Sequence, residues 1–206
     1  MDVFSHGLWS ATVAKGSNKF KYAKLSPWLA AWWGVFPDVF AFGIPMVWLV
    51  LSIINGSIDP AVLRGTHSEE PPQVFQSHNP LSDLAPHLYN ISHSLVVFLF
   101  IFGLVFLIKK LVEKGLSWKQ LMPWEMLAWL GHILCDIPTH TPQFYPTPIF
   151  WPISDWKFRY GFSWGQWWFM ALDYGLLVIV FLIISIKKAK ITSTSSNYDG
   201  EQKTNF

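Results

Sequence analysis

Charge is scarce in this chain: Asp, Glu, Lys and Arg together make up 14% of its 206 residues, against about a quarter in ordinary soluble domains. That excludes a well-hydrated globular surface. Cysteine is nearly absent, and the lone Cys135 excludes an internal disulfide while leaving the redox compartment open. Residues Met1 to Lys15 include Asp2 and His6 and have no long apolar core ending in a small-residue cleavage site, so no signal peptide is expected. The formal net charge is only +2, and the basic residues lie in short runs rather than one stripe, which argues against nucleic-acid binding. No internal repeat is visible.

Apolar and aromatic residues fill the space that charge leaves. Hydrophobic residues reach 51%, with 13 Trp and 17 Phe. Four apolar segments stand out, Val39 to Ile54, Leu95 to Ile108, Leu121 to Ile137 and Trp164 to Ile186. A helix needs about 20 residues to cross the hydrocarbon core, so only the fourth suffices alone. Extending the first back to Pro27 and the second to Ile91 gives adequate length, but brings Asp38 and His93 into or near the bilayer. Ionisable groups at such depth are costly and generally functional. The expected fold is an all-α membrane protein, a bundle of about four transmembrane helices with a short N-terminal helix. Residues 1–190 form the membrane domain, and 191–206 a polar disordered tail.

Lysines set the expected orientation. Lys15, Lys19, Lys21 and Lys24 precede the first segment, Lys109, Lys110, Lys114 and Lys119 separate the second from the third, and Lys187, Lys188 and Lys190 follow the fourth. With four crossings all these clusters face one side, which the positive-inside rule makes cytoplasmic, together with both termini. Two long outer connections remain, Asn55 to Asn90 and Pro138 to Ser163.

Within this apolar frame, His132, Asp136 and His140 recur at intervals of four in Gly-His132-Ile-Leu-Cys-Asp136-Ile-Pro-Thr-His140, a spacing that returns side chains to one helix face. At about 1.5 Å per residue, Asp38 and His132 both fall roughly 15 Å from the inner side. His93, Asp136 and His140 lie somewhat further out, in a site expected to open outward. Asp38 follows Pro37 and reads as a ligand, as a cap for a helix beginning at Val39, or as both. Pro138 and Pro142 leave the phase of His140 open between loop residue, ligand and acid-base group. Asp173 reads as an acceptor behind a ligand histidine or as a helix-to-helix hydrogen bond. Cys135 sits beside the ligand face and reads as a packed thiol, and His67, His78 and His87 as solvated.

Several pieces in order, His6 in Ser-His-Gly-Leu-Trp, Pro37-Asp38, His93-Ser94 in Ile-Ser-His-Ser-Leu, and His132 to Thr139 in His-Ile-Leu-Cys-Asp-Ile-Pro-Thr, resemble the membrane-bound metal-dependent hydrolases of bacteria. The resemblance spans most of residues 1–160. It implies a small helical bundle in the cytoplasmic membrane with His6, Asp38, His93, His132 and Asp136 as metal ligands. In that family a second acidic residue often stands two places after the Pro-Asp aspartate, where this chain has Phe40, so the carboxylates for a second metal are incomplete. A His-Arg-Gly stretch often precedes the His-Ser histidine by five residues, where this chain has Leu88, and no phosphate clamp is visible there.

Imidazole and carboxylate ligands suit Zn²⁺, with Mn²⁺ the choice where oxygen dominates. A bound divalent ion brings water to ionise near neutral pH, with His140, or a carboxylate not engaged by metal, as the acid-base group. The aromatic stretch from Phe144 to Tyr160 reads either as a packed interfacial cap with no substrate role or as a substrate surface, in which case Lys157 and Arg159 are placed to hold a lipid phosphate. The expected partners are the lipid bilayer and a lipid or lipid-linked ester or phosphoester substrate. The alternatives are a metal-ion or proton transporter, which needs polar residues reaching the inner face, and a non-catalytic integral membrane protein. The inner halves of the last three segments, Val-Phe-Leu-Ile, Leu-Met-Pro-Trp-Glu-Met-Leu and Val-Phe-Leu-Ile-Ile-Ser, carry Glu125 as their only ionisable group and favour a one-sided site.

Overall fold

A computed structural model describes residues 1–19, 24–59 and 80–202, all helix and connecting loop, with no strand among the described residues. The helices are α1 (Val3–Lys19), α2 (Pro27–Ile54), α3 (Pro80–Ser92), α4 (Leu95–Val112), the single turn α5 (Trp118–Leu121), α6 (Leu127–Thr139) and α7 (Trp167–Gln202), with a 3₁₀ turn at Trp124–Met126 before α6. His67, His78 and Lys21 lie outside the described residues, and His87 is exposed on α3.

Three helices are long and apolar enough to cross a membrane, Pro27–Ile54, Leu95–Val112 and Trp167–Ser185. Their large side chains face outward: Phe100, Leu107, Val47 and Ile179 are all exposed, as they must be where the solvent is hydrocarbon. The expected third crossing takes a different form. Pro123 interrupts Leu121 to Ile137, and the continuous helix there is the 13-residue α6, about 20 Å long. Its Thr139 end is completed by the loop that follows, which packs over it. Phe162 N and Trp164 N donate to the carbonyls of Pro138 and Thr139. Helix α7 continues through Gln202 without a break at residue 190, where the sequence suggests a tail begins.

Ser26 caps α2, accepting from Leu29 N, and Pro27 opens its first turn. Ser94 caps α4 in the same way, accepting from Val97 N. Hydrogen bonds then tie together one end of the bundle. Asn18 at the end of α1 binds the backbone of Leu25, Ser26 N donates to Glu125, and Lys109 reaches the carbonyl of Gln120. These bonds gather the ends of α1 and α4, the start of α2 and the turns before α6 at one end, with Lys15, Lys19, Lys24, Lys109, Lys110 and Lys119, while Lys157 lies in the loop after α6. Helix α1 runs away from the lysine-bearing end, carrying Met1 back into the bundle. Glycine permits this docking. A Cβ on Gly34 of α2 would lie 2.8 Å from the His6 carbonyl, and one on Gly7 would lie 2.8 Å from Val35. Beneath the polar residues Phe98, Met126, Trp129 and Ile133 form the core, with Trp33 and Phe36 packed against them. The Trp129 indole donates to Ser92 O at 2.6 Å, fixing α6 against the α3–α4 break.

Candidate metal centre

Asp38 lies in the middle of α2, so the capping role is excluded. Pro37 has no N–H to donate to the Trp33 carbonyl one turn before it. The neighbouring Gly34 carbonyl accepts from His132 Nδ1 at 2.7 Å. Because a carbonyl only accepts, this bond places the His132 proton on Nδ1 and leaves Nε2 with a free lone pair. His93 stands at the break between α3 and α4 with Nδ1 2.9 Å from Ser92 Oγ. Tyr89 stacks on its ring at 3.8 Å between centroids.

The free faces of these groups converge. Nε2 of His132 is 3.0 Å from Nε2 of His93 and 3.1 Å from Asp136 Oδ2; His93 Nε2 is 3.4 Å from the same Oδ2 and 3.5 Å from Asp38 Oδ1; and Asp38 Oδ1 is 3.7 Å from His132. Bonds of about 2.0–2.2 Å to a tetrahedral zinc separate its ligands by roughly 3.3–3.6 Å, so these distances are close to the edges of a coordination tetrahedron. All the ligand atoms of Asp38, His93, His132 and Asp136 lie within 4.8 Å of one another, and all these residues are buried. Asp136 Oδ2 is buried and accepts no hydrogen bond among the described residues. An orphaned carboxylate oxygen facing imidazole nitrogens is costly by itself and is satisfied by a cation. The donor set fits a divalent ion.

Asp136 Oδ1 faces α1. It accepts from the Met1 amino group at 2.6 Å and lies 2.9 Å from His6 Nε2, while the His6 ring stacks on His132 at 3.7 Å. The structure therefore brings His6 to the cluster, beside Asp136 rather than within the group of Asp38, His93, His132 and Asp136. Asp173 is not a partner of a ligand histidine. It accepts from Ser5 Oγ and, at 2.7 Å, from the Trp9 indole, so it is a helix-to-helix hydrogen bond holding α1, and through it His6.

His140 ends α6 with Nε2 3.7 Å from Asp136 Oδ1. Its Nδ1 donates to Tyr145 O at 2.8 Å, and the Tyr89 hydroxyl donates to the same carbonyl at 2.7 Å. Tyr145 turns that carbonyl inward by taking φ 46°, a left-handed conformation costing roughly 1–2 kcal/mol for a residue with a side chain. Burial pushes the His140 pKa below the ordinary histidine range, so at neutral pH Nε2 is an unprotonated base. Burial likewise pushes Tyr89 well above the usual phenol range, keeping its proton. Tyr89 is a site residue that sequence reasoning missed; its place one turn before His93 is the signal.

The cluster is buried, and the loop after residue 139 packs against its His140 side through the Tyr145 carbonyl. Cys135 is not a packed thiol. It is exposed and lines a cavity of about 680 Å³ between α1, α6 and α7 that reaches His6 and His132. Lys157 and Arg159 are not among the residues lining that cavity.

A helical bundle with membrane-length apolar helices around a buried His/Asp cluster defines an integral membrane protein with a candidate metal centre. The chain belongs to the YdjM inner membrane protein family, whose description matches residues 1–195, so the match takes in the crossing part of α7 as well as the motifs. No curated protein and no solved structure matches the chain.

Proposed function

We propose that the protein is a membrane-embedded metal-dependent hydrolase acting on a lipid or lipid-linked ester or phosphoester. The observation that carries this reading is the pairing of a buried tetrahedral donor set, Asp38, His93, His132 and Asp136, with a neutral histidine base one helical turn beyond it. Zinc suits the donors, and manganese is the alternative. A divalent ion held there supplies Lewis acidity and brings bound water to ionise near neutral pH. The Gly34 carbonyl holds His132 in the ligating tautomer, and His6 orients Asp136. His140 Nε2 takes the proton from the attacking water and returns it to the leaving oxygen, so the elements of water are added across the broken bond. The lysine-bearing end of the bundle, with the C-terminus, faces the cytoplasm, while Met1 itself is drawn to the depth of the site.

The test is hydrolysis by purified protein of a lipid-extract panel and model phosphodiesters, abolished by chelator and restored by Zn²⁺ or Mn²⁺. Metal-loaded protein that hydrolyses nothing yet carries divalent ions or protons across liposomes in a His132-dependent way would replace this reading with transport.

A further inference from the structure

We infer that the cavity between α1, α6 and α7 is a laterally open seat for one hydrocarbon chain of a membrane lipid, whose head-group end reaches His6 and His132 at the edge of the Asp38/His93/His132/Asp136 cluster. As a statement about substrate this rests on the hydrolase reading; as a statement about binding it stands on the cavity. Helices α6 and α7 hardly touch one another, and α1 packs against both, so the gap between them is floored by α1 and faces the bilayer. Small side chains keep it open. Ser10, Ala14 and Ser17 line it on α1, and Ala128, Gly131 and Cys135 on α6, at the intervals of three and four that share a helix face. Leu172 and Leu176 of α7 form the opposite wall.

The cavity runs from the His6 and His132 end to Ser17, Leu25 and Trp124 at the lysine-bearing end. From His6 to Ser17 along α1 is about 16 Å. The lining is apolar over most of that length and the groove is open along its side, and what fills an apolar gap facing the bilayer is the alkyl chain of a lipid, as apolar as the leucines beside it. Direction agrees as well. With the lysine end cytoplasmic, the cluster lies above the cavity, so a lipid from the outer leaflet enters with its head group at the edge of the cluster and its tail pointing down. The loop that packs against the His140 side leaves this lateral opening as the route to His132.

Photo-crosslinking in nanodiscs of phosphatidylethanolamine and phosphatidylglycerol tests this, with trace phosphatidylcholine bearing a mid-chain diazirine as the probe and peptide mass spectrometry as the readout. Adducts are expected to concentrate on Ser10–Ser17 and Leu127–Cys135. A Cβ at Gly131 meets nothing within 4 Å, so Gly131→Leu fills the cavity without displacing the helix, and it is expected to lower those adducts about tenfold, as overpacking a fitted site does. Metal content is expected to stay at the wild-type level, and Leu172→Trp fills the groove from the other wall if the first variant folds poorly. Adducts no denser in the groove than on the outward faces of α2 and α4, or unchanged by both variants, would overturn the inference. Groove adducts in a protein that hydrolyses no ester would remove the hydrolase reading alone; hydrolysis without groove adducts would remove the lipid seat alone.

Discussion

Asp136→Asn separates a metal ligand from a structural counter-ion. The substitution keeps the shape of the side chain but removes the charge that faces His132, His93 and His6 at 3.1, 3.4 and 2.9 Å. Breaking one partner of a buried charge pair costs about 3–5 kcal/mol, and if even 2.7 kcal/mol of that falls on metal binding, affinity drops about 100-fold. A metal present at 1,000 times its dissociation constant stabilises the fold by about 4.1 kcal/mol, of which such a drop removes about 2.7. For a chain of this size that is a loss of roughly 5–11 °C in melting temperature. The assay is thermal unfolding in detergent with saturating Zn²⁺ or with chelator, beside elemental analysis. Wild type should melt lower in chelator, and the variant should keep only about a third of that difference. Were Asp136 only the partner of the Met1 amino group and His6, the variant would lose stability equally with and without metal and would still hold its ion. That result, or metal-free wild type, refutes the assignment.

Other substitutions probe separate parts of the site. His132→Ala and His93→Ala should each leave purified protein without its roughly one ion per chain, because an incomplete tetrahedral shell does not hold zinc; full occupancy in elemental analysis would exclude that residue as a ligand. His140→Ala should retain metal while lowering the hydrolytic rate by about 10² to 10⁴, and loss of metal instead would make it a ligand. Gly34→Ala puts a Cβ 2.8 Å from the His6 carbonyl and should cost about 1–3 kcal/mol as an overpacked contact, seen as a lower melting temperature; unchanged melting would mean α1 does not dock there. Single cysteines at Ser68, Ser117 and Ser195 in a Cys135→Ser background should label with an impermeant reagent in intact cells only at Ser68, and labelling at either other position would invert or break the proposed orientation.

Which groups meet in this bundle was readable from depth and spacing, because in a membrane both are constrained. Asp38, His93, His132 and Asp136 could be assigned to one layer by counting rises of about 1.5 Å from the lysine ends, and the structure puts their ligand atoms within 4.8 Å. What was not readable depends on backbone breaks and on surfaces. Pro123 shortens the third segment because one missing N–H ends the ladder there, and no hydropathy average registers that. Cys135 is one residue from Asp136, so helical phase places it off the ligand face. Whether that neighbouring face is packed or open depends on how far α7 stands from α6, a distance set by where Asp173 and Trp9 pin α1 to α7. The tautomer of His132 was equally hidden, since its partner is a carbonyl, a group every residue has. It is the bond to Gly34 O that aims Nε2 at the cluster. The same glycine lets α1 approach and bring His6 onto Asp136. One small residue thus serves both the packing of the bundle and the orientation of its ligands, which is why a change at Gly34 should disturb stability and metal binding together.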